Sequence, residues 1–140
     1  MAFKRVKGGD DGFAERAVSS LTSAAGALVD YDRSNHVVVA ATSSSTTESL
    51  AGVLVQAVTS SDTVALVQEL DENDEFIADT TNNSNASHNY QRMVLTNSTT
   101  VNNTGTDDTT DAAIVMQIAP VGAASDKKIL CRIIRVQDRA

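Results

Sequence analysis

The 140-residue sequence contains no tryptophan and only five other aromatic residues, three Phe and two Tyr. Of its 58 apolar residues, 35 are Ala or Val, so few large side chains are available to build a core. Since buried apolar area contributes roughly 25 cal/mol per Å², such a chain gains less on folding than one rich in Leu, Ile and Phe. Binding that is restricted to the folded state would add stability. We therefore expect one domain that associates with copies of itself or with a larger body.

Cysteine is nearly absent as well, because Cys131 is the only one. An intrachain disulfide is therefore excluded, and the chain does not resemble a stapled secreted scaffold. Cys131 lies in an apolar run, which favours a small buried side chain over a nucleophile. No window holds the ~18 apolar residues of a membrane span, and Asp10, Asp11 and Gly12 replace the apolar stretch of a signal peptide. We expect no membrane association.

Basic residues are scarce in the middle of the chain and concentrated at its two ends. From Gly8 to Asp126, seventeen acidic and three basic residues give a net charge of −14. The residues outside this stretch carry +7, so the net charge of the whole chain is −7. An acidic body repels a polyanion, so we expect no nucleic-acid binding. The segregated charge instead indicates that the chain binds a partner.

Strand patterns dominate the sequence from Ala27 onward. Eight short apolar or alternating segments are separated by turn-forming residues, at intervals typical of antiparallel sandwiches and barrels. They are Ala27–Tyr31, His36–Ala41, Gly52–Val58, Thr63–Leu70, Glu75–Asp79, Tyr90–Thr96, Ala113–Ile118 and Lys128–Val136. Turn formers at Asp32–Asn35 and Thr59–Asp62 predict two hairpins. No intervening segment has the helical periodicity of an α/β fold. We predict an all-β fold, an antiparallel β-sandwich or barrel of about eight strands.

The first dozen residues are charged and contain glycine, with little to bury. We predict an extended N-terminal arm over residues 1–12 and a single β domain over residues 13–140. Phe13–Leu21 fits either a short helix, with apolar residues at four-residue spacing, or a strand. Between Thr80 and Thr110 the sequence is rich in Asn, Ser and Thr, which favour turns. We expect ordered loops and an edge strand there.

Residues that could carry chemistry form no recognisable constellation. The acidic segment Asp71–Glu75 could attract calcium, but an EF-hand would require Gly at Phe76 and Glu at Asn82. Nothing resembles a nucleophile elbow or a phosphate-binding glycine loop. A second acidic turn and two histidines without a linking spacing complete the candidates: Asp107, Asp108, Asp111, His36 and His88. We therefore predict no catalytic residue, no cofactor and no metal site.

The order of segments from about Ala27 to Val136, four fifths of the chain, resembles the capsid decoration or cement proteins of tailed bacteriophages. The segments that carry this resemblance are Gly26–Asp32, Ala51–Val55, Asp74–Asp79, Gln91–Thr96, Val101–Gly105 and the closing strand led by Asp126–Lys128. The resemblance implies a β-rich body, frequently trimeric, that is made in the host cytoplasm and sits on the outer capsid surface of the virion. It implies two partners, the major capsid protein and further copies of this chain.

Partner contacts are predicted at both basic ends of the chain. The candidate residues are Phe3, Lys4, Arg5, Lys7, Lys127, Lys128, Arg132 and Arg135. Our hypothesis is that the arm and the last strand face the capsid or a neighbouring protomer, while the acidic loops face solvent. A solvated terminus is the alternative for Lys4–Lys7. For Arg132 and Arg135 the alternative is an outward-facing strand side, because the two residues fall on opposite faces of a regular strand.

Other function classes remain open at this point. A tail-tube subunit or another head or tail protein would also lack a catalytic site, although a tube subunit should form hexameric rings and a major shell protein is usually larger. A carbohydrate-binding fibre or adhesin module would use an all-β body with polar loops. Such a module normally presents aromatic platforms, and this chain offers only Tyr31, Tyr90 and three Phe.

Overall fold

The computed structural model describes residues 2–8, 12–71, 73–105 and 109–134. These residues form eleven β-strands and two short 3₁₀ turns, Ala86–His88 and Ala124–Asp126. The strands are β1 (Lys4–Lys7), β2 (Phe13–Ala17), β3 (Leu28–Asp32), β4 (Val37–Ala40), β5 (Leu50–Leu54), β6 (Val64–Gln68), β7 (Glu75–Thr80), β8 (Arg92–Asn97), β9 (Thr100–Asn102), β10 (Val115–Pro120) and β11 (Lys128–Ile133). The all-β prediction is confirmed.

Five of the strands close into a barrel in the order β7-β11-β10-β8-β9, since β9 pairs back in parallel with β7. The other pairings within the barrel are antiparallel. Alternation sets the two faces, because successive side chains of a strand point to opposite sides. In β7, for example, Phe76 and Ala78 are buried, while Glu75, Ile77 and Asp79 are only partly buried. Strand β1 extends the sheet by pairing with the first half of β7.

The remaining strands form a second antiparallel sheet in the order β2-β6-β5-β3-β4. Both predicted hairpins are confirmed. In the β3–β4 turn, the Asp32 carboxylate accepts hydrogen bonds from the backbone N–H groups of Ser34 and Asn35. In the β5–β6 connection, the Asp62 carboxylate accepts from the N–H of Thr59 at 2.9 Å. Such local side-chain bonds explain why these residue types stop one strand and reverse the chain.

Apolar side chains form two clusters. The larger one fills the barrel and continues onto the second sheet through Leu28, Leu50 and Val53. The smaller one lies on the opposite face of the second sheet and includes Val29 and Leu54. Because β5 carries side chains into both clusters, all five of its residues are buried. A core made mainly of Ala, Val, Ile and Leu is therefore divided between the two faces of the second sheet.

Two predictions about the N-terminal region are wrong. The expectation that the first dozen residues have little to bury is wrong: Lys4–Lys7 forms β1, and Phe3, just before it, is 1% exposed. The physical reason is that β1 covers an edge of β7 that would otherwise leave backbone groups unpaired. The helical alternative for Phe13–Leu21 is also wrong, since Phe13–Ala17 is strand β2 and pairs with β6 along its whole length.

Candidate partner-binding surface

The barrel presents an outward side that carries four of the six basic residues from the two chain ends that the structure describes. It is the side of β1, β7, β11, β10 and β8 that faces away from the buried cluster. In β11, Ile129, Cys131 and Ile133 are buried, so the alternating residues Lys128 and Arg132 face outward. We call this side the basic face and define it by its cations: Lys4, Lys7, Arg92, Lys128 and Arg132.

The strand register aligns one row of side chains across this face. Arg92 and Arg132 are both Cα partners of Met116, on either side of it. An Nη of Arg132 lies 4.0 Å from an Oε of Glu75, and the Nζ of Lys7 lies 3.5 Å from the same oxygen. Lys7 and Glu75 are also Cα partners. Residues from both ends and from the middle of the sequence are thus brought together on one surface.

A second ion pair lies further along the face. The Nζ of Lys128 donates to an Oδ of Asp79 at 2.6 Å, and the two side chains are 46% and 44% exposed. An exposed pair of this kind contributes about 0–1 kcal/mol, because solvent screens it. Since Glu75 and Asp79 are the acids of these ion pairs, the five cations of the basic face leave a net charge of +3. The whole chain carries −7.

Apolar side chains occupy the centre of the basic face. Ile77 and Leu130 are Cα partners on neighbouring strands, and Lys4 is the Cα partner of Ile77 on its other side. Ile77, Leu130 and Met116 are each partly exposed. Protein interfaces combine an apolar centre with Arg and Met enrichment and a polar rim. The apolar centre and the two Arg residues of the basic face fit this composition, whereas its Lys, Glu and Asp residues are of types that interfaces contain less often.

Two of the predicted contact residues, Phe3 and Arg5, have side chains that are largely buried within the chain, so they are not available to a partner. Phe3 packs edge-on against Phe76, with ring centroids 6.3 Å apart. Arg5 is only 13% exposed and donates to the carboxylate of Asp74, which is itself 3% exposed. Asp74 also accepts a hydrogen bond from the N–H of Asp71 at 2.9 Å. Arg5 therefore fixes β1 to the turn before β7.

The other predicted contact residues have separate outcomes. Lys4 and Lys7 are exposed, and Lys128 and Arg132 share their face. Lys127 is exposed next to this face, in a left-handed conformation with a φ of 54°, and its carbonyl oxygen accepts from the N–H of Thr80. Arg135 lies outside the described residues. The contact of these six residues with a partner stays a prediction.

Acidic and basic residues are not separated in the fold as we expected from the sequence. Three acids at or within β7, Asp74, Glu75 and Asp79, pair with bases from the two chain ends. We expected the acidic loops to face solvent, and this is wrong for Asp74 in the turn before β7, which is buried and pairs with Arg5. Alternation in β7 could have placed Glu75 and Asp79 on one face, but no sequence pattern indicated that both ends pair with β7. Arg92 was missed because it is isolated in the acidic body.

The residues considered for chemistry do not form a site in the described parts of the chain. His36 is in the β3–β4 turn of the second sheet, whereas His88 ends a 3₁₀ turn beside β10. No group of three or more His, Cys, Asp or Glu side chains suited to a metal ion occurs among the described residues. Asp107 and Asp108 lie outside them. Burial raises the pKa of the Cys131 thiol to about 12, so it stays protonated at neutral pH, as expected of a buried apolar side chain.

The five aromatic side chains occupy different environments. Phe3 and Phe76 are in the core. The face of the Tyr31 ring is covered by the guanidinium of Arg16, whose central carbon lies 5.6 Å from the ring centroid. Phe13 on β2 and Tyr90 before β8 are exposed, by 47% and 72%. Phe13 is on the second sheet, whereas Tyr90 lies in the turn that precedes β8 of the barrel.

Comparison with known proteins adds no relatives, since no protein-family model matches the chain and no curated protein sequence matches it either. Within residues 2–8, 12–71, 73–105 and 109–134, no helix has the length and hydropathy needed to cross a membrane.

Proposed function

We propose that this chain is a non-enzymatic structural protein of a bacteriophage head, which binds the outer surface of the capsid and stabilises the shell by bridging neighbouring capsid subunits. The observation that supports this function is the basic face: a surface of net charge +3 with an apolar centre, on a chain of net charge −7. The resemblance to decoration proteins supports the choice of partner.

The basic face suits a binding step that is oriented by charge. Complementary charge speeds association and suppresses wrong orientations more than it adds affinity. Because the rest of the chain is acidic, an acidic patch on the capsid would attract this face and repel the others. Once the surfaces meet, burial of Ile77, Met116 and Leu130 would remove apolar area from water and hold the complex. The partner surface should therefore be acidic with an apolar centre.

Self-association is the second part of the proposal, and we expect a homotrimer. The thin core supports it, because assembly stabilises the folded state. Three modest contacts on a symmetric lattice also bind far more tightly than one. Light scattering of the purified protein distinguishes the assemblies: a trimer fits decoration, whereas a hexamer or filament would favour the tail-tube alternative.

Cosedimentation with purified empty capsids of the same phage tests the function. We expect the wild-type protein to sediment with the capsids and Arg92→Glu to reduce occupancy several-fold at low salt, with a smaller effect at high salt. Arg33→Glu is the matched control, since it makes the same charge change in the turn of the second sheet, where Arg33 donates to the Glu48 carbonyl. Absence of the wild-type protein from the capsid pellet at low and moderate salt would contradict the proposal.

A further inference from the structure

We propose that Tyr90 is the anchor residue of the basic face, and that its ring enters an acidic-rimmed pocket on the protein to which this face binds. The proposal rests on the proposed function, since the partner is taken to be the capsid surface. It starts from exposure: at 72%, Tyr90 is exposed more than Val6, Phe13, Val39 or Val64. We take this exposed aromatic side chain as a candidate contact residue, because Tyr is enriched among the residues that dominate protein interfaces.

The backbone of Tyr90 is held in a conformation that its side chain disfavours. Its φ is 65°, in the left-handed region, which residues with a Cβ rarely occupy. The N–H of Tyr90 donates to the carbonyl of Gln117 at 2.7 Å, and the N–H of Gln117 donates to the carbonyl of Gln91 at 3.2 Å. Such disfavoured conformations persist only where the surroundings impose them, and they concentrate at binding sites.

A buried amide fixes the loop that presents Tyr90. Gln117 is 0% exposed among apolar residues of the barrel, where a polar side chain is unfavourable unless it is hydrogen-bonded. Its Nε2 donates to the carbonyl of Asn85 at 2.8 Å and to the Oδ1 of Asn89 at 2.9 Å. Asn85 in turn caps the 3₁₀ turn by accepting from the N–H of Ser87. A short polar loop is thus tied to β10 at both of its ends.

The position of Tyr90 connects it to the basic face. Tyr90 precedes Arg92 by two residues, and its N–H donates to Gln117. Gln117 is next in sequence to Met116, which is the Cα partner of both Arg92 and Arg132. Tyr and Arg dominate the few residues that carry most of the energy of protein interfaces. Because the backbone at Tyr90 is already held by its bond to Gln117, binding need not order this segment of the chain. The net charge of +3 beside it requires acidic residues at the rim of that pocket.

The test is a capsid-binding titration of Tyr90→Ala, Tyr90→Phe and Val64→Ala. Val64→Ala is the matched control, because Val64 is a 52% exposed apolar residue on the second sheet. We expect Tyr90→Ala to weaken binding by roughly tenfold or more, as loss of an anchor does. Tyr90→Phe, which keeps the ring, should bind within about threefold of wild type, and Val64→Ala should bind like wild type. Far-ultraviolet circular dichroism checks that each variant is folded.

The outcomes separate this inference from the proposed function. If the wild-type protein binds capsids and Arg92→Glu weakens binding while Tyr90→Ala does not, the anchor is refuted and the capsid function stands. If the wild-type protein does not bind capsids at all, both are refuted. Retention of the wild-type protein on immobilised oligosaccharides, lost in Tyr90→Ala and accompanied by no capsid binding, would assign the ring to a sugar and overturn the protein-pocket proposal.

Discussion

Replacing Phe3 by Ala should destabilise the whole fold, although Phe3 lies in a segment whose sequence indicates a free arm. Phe3 is 1% exposed, and its ring packs edge-on against Phe76. Its backbone N–H donates to the Gly26 carbonyl at 2.9 Å. Truncation of a buried Phe to Ala typically costs roughly 3–5 kcal/mol, through lost burial and a residual cavity. Since domains unfold with about 5–15 kcal/mol, Phe3→Ala should remove a large fraction of the stability.

Urea denaturation followed by circular dichroism measures this free energy. A loss of that size should also lower Tm by roughly 10 °C, at about 3 °C per kcal/mol for a chain of this length. Phe13→Ala is the control, since Phe13 is 47% exposed and its truncation should change the free energy of unfolding by less than about 1 kcal/mol. Phe3→Leu keeps most of the volume and guards against a variant that does not fold. Equal unfolding midpoints for Phe3→Ala and Phe13→Ala would refute the contribution of the buried Phe3 side chain to stability.

Two further predictions concern the second sheet. Gly52→Ala should lower the free energy of unfolding by several kcal/mol, because the φ of Gly52 is 149° and a Cβ there would overlap the Gln68 carbonyl. Gly105→Ala is the control: a Cβ at Gly105 meets open space, so urea denaturation should give a free energy of unfolding within about 0.5 kcal/mol of wild type. Similar effects of the two changes would contradict this. Burial raises the pKa of the Asp30 carboxyl group above 3.8, so this group binds its proton more tightly in the folded state than in the unfolded state. Relative to Asp30→Asn, the wild-type protein should therefore lose stability as pH rises from 3.8 through the raised pKa, and an equal pH dependence of the two urea midpoints would oppose it.

The strands that could be predicted are those with a strong local pattern. Glu75–Thr80 alternates, and the structure buries every second residue of it. Asp32 stops β3 through bonds to its own neighbours in sequence, which is information that the sequence holds locally. We expected ordered loops and an edge strand between Thr80 and Thr110; β9 is a strand there, but it is not an edge strand, and it contributes only Val101 to the core. Its strand conformation comes from pairing with β7 and β8 on its two sides.

The candidate site could be predicted in part for a related reason. The distribution of charge along the sequence reveals an excess of basic residues at the two chain ends, which include Lys4, Lys7, Lys128 and Arg132. Arg92 joins them only through the register of β8, β10 and β11, and a register between distant strands cannot be read from local pattern. Phe3 and Arg5 failed as contact residues for the same reason, since their partners lie 69 or more residues away in the sequence.

The ion pairs on the basic face determine how its binding should respond to salt. Glu75 and Asp79 already hold part of the positive charge of Lys7, Lys128 and Arg132, so a partner carboxylate must compete with them. Salt screens the exposed Lys128–Asp79 pair and the partner's contacts at the rim alike, and it screens the pairs of the 18% exposed Glu75 less. The apolar centre formed by Ile77, Met116 and Leu130 is not screened. Salt should therefore slow association with the partner while leaving dissociation nearly unchanged, and a dissociation rate that rose as steeply as the association rate fell would place the binding energy in the charges rather than in the apolar centre.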